Sequence, residues 1–365
     1  MAPHNDPHDA LAAGTGLEAP VARGEEFRDR NPRRLLTGAE LAQFTRLSDW
    51  RSAAAIARTL ALIAATAGAG LAGFALVRGG SPAAGLALVA LAVVLTGCWQ
   101  HALAILSHEA THYRLFADRA ANDLVGRIAG MLIGVSTFSY RIVHRVHHNN
   151  LYEAIDPDLA LMAGYPRGRL YLVKKLLKDA AGLTAWRNYL YFFGAPAMNA
   201  ATGTARRPLD DTTERLRRQA LADRWVVVAF HAALPLASWA AGVLPEYLVL
   251  WVLPALTVQA VLLRLRAVAE HGAPAHVRSP FGAARTNVDL PLWARIALFP
   301  HHVNYHLEHH LYPAVPHYNL PALHARLRAA GALDGAEVRP FAQTMRRVFA
   351  ARGAPPEGAD AAPAA

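Results

Sequence analysis

Four apolar stretches, each long enough to cross a lipid bilayer as a helix, constrain this chain more than any other feature. They are Ile56–Val77, Pro82–Leu106, Trp225–Val243 and Glu246–Leu263. At about 1.5 Å per residue the first reaches roughly 33 Å, against a hydrocarbon core of about 30 Å. Arg58 is the one charge within that first stretch, near its end, where a long side chain can snorkel. The whole chain of 365 residues is 53% hydrophobic and only 18% charged, whereas soluble domains carry about 25% charge. The sequence therefore predicts an all-α integral membrane protein.

The connections predict how the four spans are arranged. The first two are separated by Arg78-Gly-Gly-Ser81 and the last two by Leu244-Pro245, with long polar segments elsewhere. Two helical hairpins entering from one side fit that pattern. Seventeen basic residues lie between Ser107 and Arg224, against a single one, Arg78, in the two short turns. The positive-inside rule then places both termini and the long central region in the cytoplasm. Two shorter apolar stretches, Leu124–Phe138 and Tyr189–Ala200, fit interfacial, re-entrant or cap helices. Residues 1–34 and 346–365 read as disordered tails flanking one membrane domain over 35–345, and 1–34 has no apolar core of a secretion signal. Only three of the 37 basic residues are lysine and alanine is abundant; that usage suggests a high-GC bacterial genome, and hence a bacterial inner membrane.

The net charge of +10 could suit nucleic acid. The basic residues flank apolar segments, however, as in a protein facing anionic lipid, so no nucleic-acid partner is expected. Cys98 is the sole cysteine, which excludes an intrachain disulfide and a Cys-ligated iron–sulfur cluster. Any metal must be held by His, Asp or Glu.

Nine of the 18 histidines fall in four clusters: His108-Glu-Ala-Thr-His112, His144-Arg-Val-His147-His148, Glu270-His271-Gly272 and His306-Leu-Glu-His309-His310. Neutral imidazole is the commonest protein ligand for transition metals. Nine rings exceed what one ion can take and suit two. Spacings of i, i+3 and i+4 place the rings of each cluster on one helical face. All four clusters fall on the predicted cytoplasmic side, at or beyond the inner ends of spans. The first also matches His-Glu-x-x-His, the zinc metalloprotease pattern; a protease needs only one further ligand, leaving most of the clustered histidines without a role.

With its boxes in this order, the chain resembles the integral-membrane fatty acid desaturases over roughly Leu86 to Leu327. The segment Asn304-Tyr-His306-Leu-Glu308-His309-His310-Leu-Tyr-Pro-Ala-Val-Pro316 carries much of the likeness, as does Asp156-Pro-Asp158. The resemblance implies four spans below a cytosolic helical cap, with a histidine-rich dimetal site between them. It implies two iron ions held by His108, His112, His144, His147, His148, His271, His306, His309 and His310. Glu109, Asp158, Glu270, His302 and Glu308 are candidates to orient those rings through their far nitrogens. Some relatives add an asparagine before the single histidine, and Arg264–Gly272 contains none.

The implied activity is O2-dependent insertion of a double bond into an acyl chain of a membrane lipid. No His-Pro-Gly-Gly stretch of a fused haem domain occurs, so a separate donor, a ferredoxin or small cytochrome, is expected to supply electrons. The boxes equally admit a lipid or carotenoid hydroxylase or ketolase. A membrane zinc hydrolase is the reading from another class. The other histidines read differently: His231 as a buried hydrogen-bonded residue, His101 as a support of the ligating rings, a substrate-channel residue or a packing residue, and His276, His301, His317 and His324 as surface or packing residues.

Overall fold

The computed structural model describes residues 31–194, 209 and 212–352. Four helices are long and apolar enough to cross a membrane. Two belong to the first half of the chain, α2 (Asp49–Arg78) and α3 (Pro82–Thr111). Two belong to the second, α8 (Glu214–Ala240) and α9 (Leu244–His271). Among the described residues the only strands are β1 (Thr286–Val288) and β2 (Val338–Pro340), paired in parallel. The chain is thus the all-α membrane protein its composition predicts.

Each span is longer than its apolar stretch because a polar end continues the helix. α1 (Gly38–Phe44) precedes α2 and starts at a reciprocal cap: Thr37 Oγ1 accepts from Glu40 N, and Glu40 accepts from Thr37 N at 2.8 Å. α2 ends at Gly79 and Gly80, the latter at φ +88°, and Pro82 opens α3 at a position where no N–H is needed. The two helices touch through glycines. A Cβ on Gly85 would lie 2.6 Å from Gly73 O, so neither position has room for a side chain.

α3 changes character along its length. Leu86, Leu91 and Val94 are exposed, whereas every residue from Gln100 to Thr111 is buried. The outer part faces lipid; the inner third enters the packed cap. α9 is irregular where Pro254 cannot donate to the preceding turn. It widens to a π-helix over Leu248–Val252 and kinks at Thr257 (φ −116°, ψ −78°) before resuming as an α-helix over Val258–His271. Gln100 Nε2 of α3 donates to Trp251 O in the widened stretch at 2.9 Å. Near the start of α9, Glu246 Oε1 takes Arg78 Nη1 from the end of α2 at 2.7 Å.

The cap is built from α4 (Arg119–Leu132), α5 (Thr137–Asn149), α6 (Arg169–Ala180) and α7 (Ala185–Phe192). After α9 it adds α10 (His306–Leu311), α11 (Leu320–Ala329) and α12 (Phe341–Val348). The apolar stretch Leu124–Phe138 is therefore two helices, broken at Gly134 with φ +76°. Tyr189–Ala200 is covered by α7 only to Phe192, and residues from 195 lie outside those described. Of the two expected tails, 1–30 and 353–365 lie outside them too. Pro32–Arg34 form a helical turn, and α12 runs across the expected boundary at 345.

Arg285 staples the cap to the end of α9. It is almost fully buried, donates to Ala269 O and Ala273 O, and pairs with Glu337 Oε2 at 2.7 Å. Glu337 also takes Arg339 Nη2 at 2.8 Å. This fixes the last turn of α9, which ends in His271.

Candidate metal centre

Four helices converge at the cap side of the spans. α3 carries His108 and its C-cap His112, α5 carries His144, His147 and His148, α9 ends in His271, and α10 carries His306, His309 and His310. All nine rings meet, in two groups. Nitrogens of His108, His112, His144, His148 and His309 lie within 4.8 Å of one another, and so do those of His147, His271, His306 and His310.

The partition follows a rule that spacing alone does not reveal. In α5 the i, i+4 pair His144 and His148 joins the first group while His147 joins the second. In α10 the pair His306 and His310 joins the second group while His309 joins the first. Each His-x-x-His-His box thus gives two rings to one group and its middle ring to the other. The groups abut: the rings of His148 and His310 stack with centroids 4.2 Å apart.

The ring nitrogens face each other at short range. His108 Nε2 to His144 Nε2 is 2.7 Å, His148 Nε2 to His144 Nε2 is 2.9 Å, and His148 Nε2 to His309 Nε2 is 3.0 Å. In the second group His306 Nε2 is 2.7 Å from His271 Nε2 and 3.0 Å from His310 Nε2. His112 Nε2 is buried without a hydrogen-bond partner. Several lone pairs converging on one point repel unless a cation lies between them. With metal–nitrogen bonds of about 2.0–2.1 Å, ligands at right angles stand roughly 3 Å apart. The residues therefore fit two metal ions, one per group.

Protonation favours the same reading. Burial first, then the charge a neighbouring ring would carry, holds His112, His144, His148, His306, His309 and His310 well below the usual imidazole value. Neutral imidazole is the form that ligates. His147 differs. Burial lowers it, but the Asp158 and Asp156 carboxylates outweigh burial and raise it to about 9.

The far ring nitrogens have partners of unequal quality. His147 Nδ1 donates to Asp156 Oδ1 at 2.9 Å, and Asp158 Oδ2 lies farther, at 3.6 Å. Asp156 is itself fixed by the N–H groups of Tyr152 and Asp158. His271 Nδ1 donates to Ala283 O at 3.0 Å. Glu109 Oε1 stands 3.5 Å from His108 Nδ1, and Glu270 Oε1 stands 3.7 Å from His306 Nδ1. The other two proposed helpers lie elsewhere. Glu308 binds His324 Nδ1 at 2.6 Å and the Thr286 hydroxyl, reaching no clustered ring. His302 is exposed, with its ring 6.5 Å from that of His317.

Among the remaining histidines, His101 bonds Leu298 O at 3.2 Å and His231 bonds Met131 O at 2.7 Å. His276, His301, His317 and His324 are all buried, so the surface reading fails for them and packing remains. Sequence reasoning passed over Asp156 as a ring partner in favour of Asp158, although the Asp-Pro-Asp motif contains both. It also missed Tyr140, Tyr191 and Arg266. These line a cavity of about 50 Å³ that touches His108 and His144 of one group and His147, His271 and His306 of the other. No spacing signal marks these three, because they reach the cavity from three different helices.

Comparison with known proteins places the chain in a family. The chain is 28% identical over 233 residues to a dihydrorhizobitoxine desaturase of Bradyrhizobium elkanii, covering 63% of this chain. It is 28% identical over 249 residues to an acyl-lipid (9+3)-(E)-desaturase of Dimorphotheca sinuata, again 63% of this chain. It is 25% identical over 245 residues to an oleoyl-12-hydroxylase of Ricinus communis, covering 62% of this chain. The matches span 64%, 63% and 60% of the length of these three relatives. The family model for fatty acid desaturases matches residues 83–342, well over half of the sequence. The chain belongs to the fatty acid desaturase family.

Proposed function

We propose that this protein is an O2-dependent membrane oxidoreductase that introduces a double bond into an acyl chain, using two iron ions. The observation that carries the reading is the division of nine histidines into two nitrogen groups that share one small cavity. His108, His112, His144, His148 and His309 would hold one ion; His147, His271, His306 and His310 would hold the other. Bound there, the pair would supply the oxidising power to remove hydrogen from an unactivated methylene, which zinc, lacking redox chemistry, cannot do. The balance is one saturated CH2–CH2 unit, O2, two electrons and two protons giving CH=CH and two waters.

The chain's own residues do the positioning. Asp156 fixes the tautomer and orientation of His147, leaving Nε2 to face the centre. Tyr140, Tyr191 and Phe192 wall the cavity and limit water. Electrons would come from a separate donor, a ferredoxin or small cytochrome. The two helix pairs would sit as hairpins in a bacterial inner membrane, with both termini and the metal centre on the cytoplasmic side.

A second reading has one specific support: the relative from Ricinus communis is named a hydroxylase. The same centre would give an alcohol if the substrate carbon gained oxygen before losing a second hydrogen. Expression in a host of known lipid content, followed by mass spectrometry of its acyl chains, separates the two. Loss of two hydrogen atoms is the expected result. Gain of one oxygen atom would replace desaturation by hydroxylation, and zinc without iron in the purified protein would remove both.

A further inference from the structure

A second, larger cavity of about 370 Å³ is lined by none of the nine clustered histidines and lies between α8 and α9. Val227 and Val228 line it from α8, Trp251 and Ala255 from α9, and Leu132 and Ile133 from the end of α4. Its depth follows from helix geometry. Leu256 lies twelve residues from the start of α9, roughly 18 Å along the axis, and Val227 lies thirteen from the end of α8, roughly 20 Å. In a hydrocarbon core about 30 Å thick, both flanks place the cavity inside the bilayer. His231 borders it, but its Nε2 is already bound to Met131 O at 2.7 Å. The walls therefore offer mainly apolar contact, at a depth where lipid acyl chains are the abundant molecules.

One helix joins this cavity to the metal centre. α7 presents Tyr189 and Phe193, i and i+4, to the membrane cavity. It presents Asn188, Tyr191 and Phe192, i, i+3 and i+4, to the small cavity under the histidines. The two chambers are the two sides of α7. Gly134 closes the wall beside it: a Cβ there would stand 2.7 Å from Tyr189 Cε1.

We propose that the cavity between α8 and α9 is the binding site through which a substrate acyl chain enters from the bilayer, before passing α7 to the metal centre. The site rests on the acyl-chain reading above. It assigns entry to a gap between spans within the membrane, and it makes Ala255, Val228 and Tyr189 determinants of which chains are accepted.

Photolabelling of the full-length protein in nanodiscs tests this, with a long-chain fatty acid carrying a diazirine and with unlabelled fatty acid as competitor. The expected label concentrates on residues 225–231 and 247–256, is competed away, and persists after chelation of metal. Ala255→Phe, which fills the cavity, should abolish that label and turnover together. Val228→Phe fills it from the facing helix and serves if Ala255→Phe does not fold. Leu71→Phe, on the exposed surface of α2, should leave both unchanged. Label spread evenly over all spans, or unaffected by either filling variant, would overturn the site. Label lost with turnover retained would identify a resident lipid and overturn it equally. A labelled, competed cavity in a protein that converts no acyl lipid would instead count against the activity proposed above.

Discussion

The rings of His148 and His310 stack at 4.2 Å with 24° between their planes, and they belong to different nitrogen groups. This contact is where the two halves of the metal centre meet. It exists because α5 and α10 each send an i, i+4 pair to one group and the intervening ring to the other. The groups are thereby laced together: neither helix can shift without disturbing both.

That lacing predicts how single losses spread. His309→Ala removes one nitrogen from the first group, and His306→Ala removes one from the second. Because each helix serves both groups, we expect either substitution to lower iron in both halves and to abolish turnover while the protein still reaches the membrane. Iron per chain by plasma mass spectrometry, alongside lipid profiling, measures this. Full iron and full activity in His309→Ala would contradict the assignment.

Asp156 orients His147 through a 2.9 Å bond and touches no other clustered ring. Loss of such a partner typically costs about 10–100-fold in metal affinity or activity. We expect Asp156→Asn to weaken iron retention against a chelator by that order. Asp158→Asn, whose carboxylate stands at 3.6 Å, should do less. Equal effects would show that the closer carboxylate has no special part. Glu308→Gln should leave iron retention intact, since Glu308 serves His324 and Thr286.

Much of this was readable from the residues. Apolar runs marked the four spans, and the nine clustered histidines are the nine that converge. What the sequence hid is geometric. Spacing of i, i+3 and i+4 puts three rings on one face, but it cannot say that the middle ring crosses to another group; that depends on the angle at which α5 meets α10. His302, four residues before His306, looked like a neighbour of the site. It points away because the chain turns between them, with both His301 and His302 at positive φ. Glu308 sits inside a box yet turns away from the clustered rings into a buried pair with His324, because it lies on the opposite side of the helix from the boxed histidines. Asp156 and Asp158 are chemically alike two residues apart, and only the fold of the intervening turn separates their roles.

The α2–α3 contact gives a stability prediction independent of metal. Gly85→Val would force side-chain atoms into the Gly73 carbonyl, 2.6 Å from the first added carbon. Overpacking of this kind costs about 1–3 kcal/mol. Gly68 on α2 has nothing within 4 Å of such a carbon, so Gly68→Ala should be neutral or stabilise by about 0.5–1 kcal/mol through helix propensity. Thermal unfolding in detergent compares them. A Gly85→Val protein as stable as wild type would mean that the two helices are free to separate.

Acid should loosen the end of α9 through Glu337. Burial raises this carboxyl, but the Arg285, Arg339 and Arg347 charges outweigh it and hold the group at about 2, against an ordinary 4.5. The folded value lies below the unfolded one, so the stabilisation is complete above about 4.5 and is lost as pH falls from there through about 2. A shift of that size corresponds to about 3 kcal/mol. Glu337→Gln should remove this acid-sensitive part. It should also destabilise the protein at neutral pH by about 3–5 kcal/mol, because buried Arg285 loses its partner. Unfolding midpoints of the two proteins from neutral to acid pH should therefore converge below about 4.5. Curves that stay parallel across that window would show that the Arg285–Glu337 pair does not set the acid limit of the fold.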